Sequence, residues 1–205
     1  MSDRFYSVAL GVGGTVFRIS GRPVVIGDKL VPKAGPMILA ATHTSPYDVP
    51  LLMLHTPRRL DFVSIVEVFR NRPVGWLYGR MNAFPLDRSA PDAPTVRIIL
   101  KRLRAGRAVA MFPEGGLRRG ENSALHTRRI RPGIGRLARL AGAPVVPCVV
   151  VGSDAYARVG AWLPLRRTRY AVVYGAPIAP CEDAGELEQK LVDSWVQLHG
   201  AAAPE

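Results

Sequence analysis

Short apolar segments alternate with helical patterns along most of the chain, and this alternation constrains the fold more than any other feature. Each short segment is bounded by Gly, Pro or Asp, and its length and β-branched content predict a buried strand. The predicted strands are Val24–Ile26, Met37–Thr42, Leu60–Ile65, Ala83–Leu86, Ala108–Phe112, Pro144–Val151 and Arg169–Tyr174. Apolar side chains recur at helical spacing in Asp92–Ala105, Gly133–Ala141 and Asp183–His199. We therefore predict an α/β fold with a mixed, mostly parallel central β-sheet flanked by helices.

The length predicts a single domain. The chain has 205 residues and contains no internal repeat, low-complexity linker or shift in composition. A chain of this size buries a core without disulfides, and its two cysteines, Cys148 and Cys181, exclude a disulfide framework and a multi-thiolate metal site. Residues 1–205 are therefore expected to form one domain, with the motifs described below in residues 35–175.

The N-terminal segment predicts an amphipathic helix over residues 1–20. Five apolar side chains between residues 4 and 18 share one helical stripe, namely Phe5, Val8, Ala9, Val12 and Val16. The stripe is suited either to lying on a bilayer surface or to packing on the core, and its weak polar face favours packing. No apolar run approaches the roughly 18–20 residues that a spanning helix requires, and no signal-peptide pattern opens the chain.

The positive charge of the chain is concentrated in one region. The formal net charge is +12, and residues 97–139 contribute +10 through twelve Lys and Arg against two Glu. Such a region attracts nucleic acid, anionic lipid, an acidic carrier protein or phosphorylated small molecules. Phe112 is the one aromatic residue within it, so stacking platforms for nucleic-acid bases are lacking, and no nucleic-acid-binding motif is found. We therefore expect no nucleic-acid partner.

The end of the second predicted strand carries a histidine and a carboxylate. His43 lies on the loop that follows the strand, and Asp48 lies in the first turn of a predicted helix. A carboxylate at this spacing can reach back to one imidazole nitrogen and raise the basicity of the other. A loop histidine beside an unrelated helix-start residue is the simpler interpretation of the pair alone. Ser45 is a weaker candidate nucleophile because it has no strand–turn–helix elbow of its own.

A second strand end, Phe84-Pro85-Leu86-Asp87-Arg88, carries an arginine. An arginine in this position is suited to bidentate phosphate binding. Taken alone, the segment is also typical of a surface turn with an Asp–Arg pair.

A third strand end, Phe112-Pro113-Glu114-Gly115-Gly116, combines an acid with two glycines. The glycines permit backbone amides to approach a substrate closely, although a simple turn explains the same residues. A weaker feature is Val146-Pro147 within an apolar strand, for which core packing is a sufficient explanation.

Taken together and in this order, these segments resemble the glycerolipid acyltransferase family, whose best-known members are the 1-acylglycerol-3-phosphate (lysophosphatidic acid) acyltransferases. The family pattern is His-x4-Asp, Phe-Pro-x-x-Arg, Phe-Pro-Glu-Gly and a Val-Pro strand. It falls here at His43/Asp48, Phe84–Arg88, Phe112–Gly115 and Val146–Pro147, and Arg131-Pro132-Gly133 resembles the basic segment after the third motif. The chain departs from the family at Gly116-Leu117, where Thr/Ser-Arg is usual, and at Thr42, where Asn is common.

The resemblance implies transfer of a fatty acyl group from acyl-CoA or acyl carrier protein to the hydroxyl of a lysophospholipid-type acceptor, above all 1-acylglycerol-3-phosphate, in phospholipid synthesis. His43 is then expected to remove the hydroxyl proton and Asp48 to orient His43. The expected substrate-binding residues are Phe84, Pro85, Arg88, Glu114, Gly115, Gly116, Arg118 and Arg131. No cofactor is implied, and no set of side chains has metal-ligand spacing. The expected location is the cytoplasmic face of a membrane, held peripherally at its surface.

Two alternatives remain open from the sequence. A lysolipid or thioester hydrolase on the same fold would use the same His–Asp pair with water in place of the acceptor. A non-enzymatic basic module for nucleic acid is permitted by the charge but has no motif to support it.

Overall fold

The computed structural model of the chain describes residues 3–86, 93–163 and 167–202. Within these residues, the strands are β1 (Gly21–Ile26), β2 (Met37–Ala41), β3 (Leu60–Ile65), β4 (Phe84–Leu86), β5 (Ala108–Met111), β6 (Val145–Val151) and β7 (Thr168–Tyr174). The helices are α1 (Asp3–Ser20), α2 (Asp48–His55), α3 (Val66–Arg70), α4 (Arg72–Arg80), α5 (Ala93–Arg104), α6 (Ala124–Thr127), α7 (Ile134–Ala141) and α8 (Ala184–Ala202). Short 3₁₀ helices occupy Asp28–Leu30, Gly120–Asn122, Ser153–Ala157 and Val159–Trp162.

The strands form one seven-stranded sheet in the order β1-β7-β6-β2-β5-β3-β4. Strands β6 and β7 pair antiparallel, and every other neighbouring pair in this sheet is parallel. The predicted α/β fold with a mixed, mostly parallel sheet is therefore confirmed. Because β2, β3, β4, β5 and β6 run in the same direction, the loops that follow them meet at one edge of the sheet. The three polar strand ends belong to this edge.

Helices cover both faces of the sheet, as expected for a buried, mostly parallel sheet. Strand β2 lies near the centre and is fully buried, with Leu39 facing the layer of α1 and α2. Its neighbour Ile38 faces the other layer, which α5, α7 and α8 form. Since successive side chains of a strand point to opposite faces, β2 contributes to both halves of the core.

The N-terminal helix is present, but it packs through a different stripe from the one expected. The buried residues of α1 are Tyr6, Gly14, Phe17 and Ser20, and the side chains of Tyr6 and Phe17 belong to the core. The absent side chain of Gly14 permits the close approach, since a Cβ there would lie 2.9 Å from Leu54 Cδ1. The expected stripe points outward instead, and Val12 is 72% exposed. The expectation that this stripe packs on the core is therefore wrong, because α1 has apolar residues on two faces.

Helices α3 and α4 lie in the chain between β3 and β4, in a segment for which no helix is predicted above. Pro73, Gly75 and Gly79 interrupt the pattern, and Pro and Gly are poor helix formers. Packing explains Gly75, since a Cβ on it would lie 2.9 Å from the carbonyl oxygen of Phe69. The close approach of α3 to α4 thus favours glycine at position 75.

Candidate active site

His43 and Asp48 are in direct contact at the carboxyl end of β2. His43 follows the strand, and Asp48 is the first residue of α2. The Nδ1 atom of His43 lies 3.0 Å from Oδ2 of Asp48. A carboxylate oxygen accepts, so Nδ1 carries the hydrogen and Nε2 keeps its lone pair. The arrangement leaves Nε2 as the basic atom.

Asp48 is completely buried, and hydrogen-bond donors surround its carboxylate. The backbone N–H groups of Thr44 and Ser45 donate to Oδ2 at 2.8 and 2.9 Å. The hydroxyl of Ser153 donates to the other oxygen, Oδ1. These donors compensate the removal of the carboxylate from water, which a buried acid requires.

The ring of Phe112 packs face to face against the imidazole ring of His43. The two rings are stacked, with centroids 3.9 Å apart and an interplanar angle of 13°. Phe112 directly follows β5, which pairs with β2, so adjacent strands bring the two rings together. The sequence placed Phe112 at a strand end but gave no sign of this contact.

Both carboxylate oxygens of Glu114 accept backbone hydrogen bonds. Oε2 accepts the N–H of His43 at 2.6 Å, and Oε1 accepts the N–H of Ala124 at 2.7 Å. Glu114 is buried, and this burial raises its pKa, while the two N–H donors act in the opposite direction. Glu114 therefore ties the loop after β5 to His43, and its expected part in lining the acceptor site stays a prediction.

Gly115 brings the backbone of the third motif against Arg131. Its φ of +74° is a left-handed conformation, and a Cβ at this position would lie 2.2 Å from Nε of Arg131. Arg131 is anchored through its own N–H, which donates to the carbonyl of Pro113 at 2.8 Å. Its side chain is exposed at this edge of the sheet. Gly115 therefore satisfies two requirements that an alanine would violate.

The loop after Gly116 crosses over the His43 turn. The N–H of Arg118 donates to the carbonyl of His43 at 2.8 Å, and Nε of Arg119 donates to the carbonyl of Thr44 at 2.6 Å. Both arginines are exposed. The structure thus brings Glu114 and Arg118, two of the predicted substrate-binding residues, into contact with His43, and it places Arg131 against Gly115.

The described residues include only the first part of the second motif, Phe84–Arg88. Phe84 is buried, and the guanidinium of Arg102 lies over its ring at 4.2 Å from the centroid. Pro85 is exposed at the end of the sheet. Arg88, the predicted phosphate ligand, lies outside the described residues. In this motif, Phe84 has a packing contact and Pro85 faces outward.

The basic segment of residues 97–139 does not form one uniform surface. Arg102 and Arg107 point inward to the buried Asp61, at 3.0 and 2.6 Å, and Arg128 pairs with Asp193. Helices α5 and α7 carry further arginines on the face of the sheet opposite α1. Arg118 and Arg119 border the turn that carries the His–Asp pair, and Arg131 borders the third motif.

Residues 3–86, 93–163 and 167–202 contain neither a candidate membrane-spanning helix nor a candidate metal site. No helix there is both long and apolar enough to traverse a bilayer. No three His, Cys, Asp or Glu side chains in the same ranges are grouped so as to bind a metal ion.

The fold is similar to that of a solved structure titled as the 1-acyl-sn-glycerophosphate (LPA) acyltransferase PlsC from Thermotoga maritima. The TM-score is 0.72, and the match covers 98% of this chain and 80% of that chain at 20% identity. At this identity, the likeness concerns the fold alone.

Two curated relatives carry the name 1-acyl-sn-glycerol-3-phosphate acyltransferase. The Bacillus subtilis protein is 27% identical over 138 residues, which is 67% of this chain and 66% of that protein. The Streptococcus pneumoniae protein is 28% identical over 127 residues, which is 61% of this chain and 45% of that protein. The chain thus spans slightly less than two thirds of the first relative and under half of the second.

A family model described as Acyltransferase matches residues 22–151, which include β2, the His–Asp pair and the third motif, and the chain belongs to this acyltransferase family.

Proposed function

We propose that the protein transfers a fatty acyl group from a thioester, acyl-CoA or acyl carrier protein, to the hydroxyl of a lysophospholipid. The acceptor class we propose is 1-acylglycerol-3-phosphate, as the names of the two curated relatives suggest. The observation that carries the proposal is the 3.0 Å contact between His43 and Asp48 at the carboxyl edge of the sheet. Membership in the acyltransferase family supports the reaction type.

In the proposed mechanism, Nε2 of His43 removes the proton of the acceptor hydroxyl as the oxygen attacks the thioester carbonyl. The new C–O bond forms, and the C–S bond then breaks. The departing thiolate receives the proton from the imidazolium. Asp48 stabilises the positive charge on His43 while it holds the proton. General-base catalysis of this kind contributes about 10²–10⁴ in rate. A thioester is already activated, so the mechanism needs no covalent acyl-enzyme.

We propose that exposed arginines beside the pair hold the phosphate groups of the substrates. Arg118 and Arg131 border the third motif, and a guanidinium binds phosphate through two parallel hydrogen bonds. Arg88 of the second motif is proposed as a further phosphate ligand on the basis of the family resemblance.

A second part of the proposal is peripheral contact with a bilayer through the outward surface of α1. This surface, the α1 face, consists of Val8, Val12, Val16 and Ile19. Four exposed apolar side chains on one helix form a contiguous patch, which single exposed residues do not. A helix buried on one side and apolar on the other is suited to lie at a lipid surface.

A tryptophan lies near each end of α1, and an arginine accompanies one of the two. Trp76 is half exposed, contacts Phe5 with ring centroids 5.5 Å apart and carries Arg80 over its ring at 5.2 Å. At the other end, Trp162 packs on Phe17, and its 3₁₀ helix presents Val159, which is 83% exposed. Tryptophan and arginine beside an apolar patch are typical of membrane interfaces.

The acyl-transfer proposal is tested with purified protein, labelled acyl-CoA or acyl carrier protein thioester, and a panel of lysophospholipids. We expect acylated product with wild type and its loss in His43→Ala. His199→Ala is the matched control, since His199 is an exposed histidine of α8, and it is expected to retain activity. Transfer that survives in His43→Ala would contradict the mechanism. Free fatty acid without acylated lipid would favour the hydrolase instead.

The membrane proposal is tested by flotation with anionic phospholipid vesicles. The double variant Val8→Asp/Val12→Asp is expected to lose binding, because it places two charges on the α1 face. Leu140→Asp is the control, since Leu140 is half exposed on α7 in the opposite layer. Equal binding of the double variant and wild type would remove the α1 face from this role.

A further inference from the structure

We propose that Ser153 is a positioning residue for the His43–Asp48 pair. Ser153 begins the 3₁₀ helix Ser153–Ala157 after β6, at the same edge of the sheet as β2. It lies 105 residues from Asp48 in the chain, and its hydroxyl donates to Oδ1 of that residue. The inference deepens the proposed function and rests on it, because it concerns the orientation of the general base.

The two carboxylate oxygens of Asp48 accept different numbers of hydrogen bonds. Oδ2 accepts from His43 and from two backbone N–H groups. Oδ1 has Ser153 as its donor within the described part of the chain. A buried carboxylate oxygen without a donor is costly, so loss of the hydroxyl favours rotation of the carboxylate. Rotation would draw Oδ2 away from Nδ1 of His43.

Ser153 is itself fixed in place. It is fully buried, and its carbonyl accepts the hydroxyl of Ser45 at 3.4 Å. The preceding Gly152 has a φ of +79°, and a Cβ there would lie 2.7 Å from the carbonyl oxygen of Arg169. Tyr156 of the same 3₁₀ helix packs on Phe17 with ring centroids 5.0 Å apart. The hydroxyl is thus held by rigid surroundings, as positioning requires.

The other charged or titratable groups near the pair come from neighbouring elements and would be unchanged by a substitution at Ser153. Glu114 approaches His43 from the loop after β5, and Arg119 contacts the carbonyl of Thr44. Cys148 of β6 lies near Asp48, and burial raises the pKa of its thiol well above the usual value, so it stays neutral. A shift in the pH dependence on substitution of Ser153 would therefore report on the pair.

The test compares Ser153→Ala, Ser153→Cys and Ser153→Thr with wild type in kcat, KM, pH–rate profile and thermal unfolding. Removal of one hydrogen bond to a charged group predicts a fall in kcat of about 10–100-fold, with little change in KM. Rotation of the carboxylate away from Nδ1 weakens its stabilisation of the protonated imidazole of His43, so the acid limb of the profile should move to lower pH. Threonine keeps a hydroxyl and should restore part of kcat, and the weak thiol donor should give an intermediate value.

Thr56→Val is the matched control, because it removes a buried hydroxyl that contacts Tyr174 at 2.9 Å and not Asp48. It should lower the unfolding temperature without moving the acid limb. The inference is overturned if Ser153→Ala keeps kcat within about twofold of wild type, or if the folded variant loses kcat with an unmoved pH profile. If Ser153→Ala does not fold, wild-type kcat and pH profile in Ser153→Cys overturn it equally. Failure of the proposed function is separate, since it would appear as activity in His43→Ala.

Discussion

Glu114 accepts the backbone N–H of His43 at 2.6 Å across 71 residues of sequence. Its second oxygen accepts the N–H of Ala124 at the start of α6. One buried carboxylate thus joins the end of β2, the loop after β5 and a short helix. The contact makes the acid of the third motif a support for the histidine of the first.

We expect Glu114→Gln to destabilise the protein and to lower kcat. Glutamine has the same shape but one acceptor oxygen, so its NH₂ group would face one of the two backbone N–H donors. A buried N–H left without an acceptor costs about 1–3 kcal/mol, measurable by denaturant unfolding. Glu121→Gln is the control at an exposed position. Unchanged stability with a raised acceptor KM would instead indicate that Glu114 binds the acceptor directly.

Asp48→Asn should abolish most activity while leaving the fold nearly intact. The remaining oxygen can still accept from Thr44 and Ser45, and the new NH₂ group can donate to the Ser153 hydroxyl, which also accepts. The charge that stabilises the imidazolium is lost, so kcat should fall by about 10²–10⁴. Steady-state kinetics measures the loss of kcat, and thermal unfolding measures whether the fold stays intact. Asp154→Asn alters an exposed neighbouring acid and should leave kcat unchanged.

Gly115→Ala should disturb substrate binding more than the fold. Alanine in a left-handed conformation costs about 1–2 kcal/mol, and here its Cβ would also collide with Arg131. Gly35→Ala isolates the backbone cost, because Gly35 has a φ of +80° and open space around it. Because the exposed side chain of Arg131 can move away from the new Cβ, we expect similar losses of unfolding free energy in both variants and a raised KM only in Gly115→Ala. Equal KM values in the two variants would contradict a binding role for this contact.

Asp61→Asn should be the most destabilising of these substitutions. It should leave kcat per folded molecule unchanged. Asp61 is fully buried. Its carboxylate accepts two hydrogen bonds from Arg107, both at 2.6 Å, and forms an ion pair with Arg102. Breaking one partner of a buried ion pair costs about 3–5 kcal/mol.

Asp193→Asn breaks the exposed pair with Arg128 and is the comparison for Asp61→Asn, expected to cost about 0–1 kcal/mol. Denaturant midpoints measure the difference between the two variants. A loss of kcat per folded Asp61→Asn molecule would show that the network also acts on the site.

The strands and the longer helices were predictable because their signals are local. Runs such as Pro144–Val151 show strand character within a few residues, and β6 was found there. The His43–Asp48 contact is local too, since five residues and one turn bring the side chains together. Helices α3 and α4 were not predicted, because α3 has only five residues and α4 contains Pro73, Gly75 and Gly79, which are poor helix formers.

The sequence by itself therefore determined the α/β class and the approximate positions of the strands, and it placed the histidine and the aspartate at a spacing that permits their contact. Only the tertiary structure decided which face of α1 packs, that Glu114 contacts His43, and that Ser153 contacts Asp48. Periodicity and short spacing are properties of one segment and can be read along the chain. Contacts between residues 71 or 105 positions apart depend on the order of strands in the sheet, which brings distant loops to the same edge.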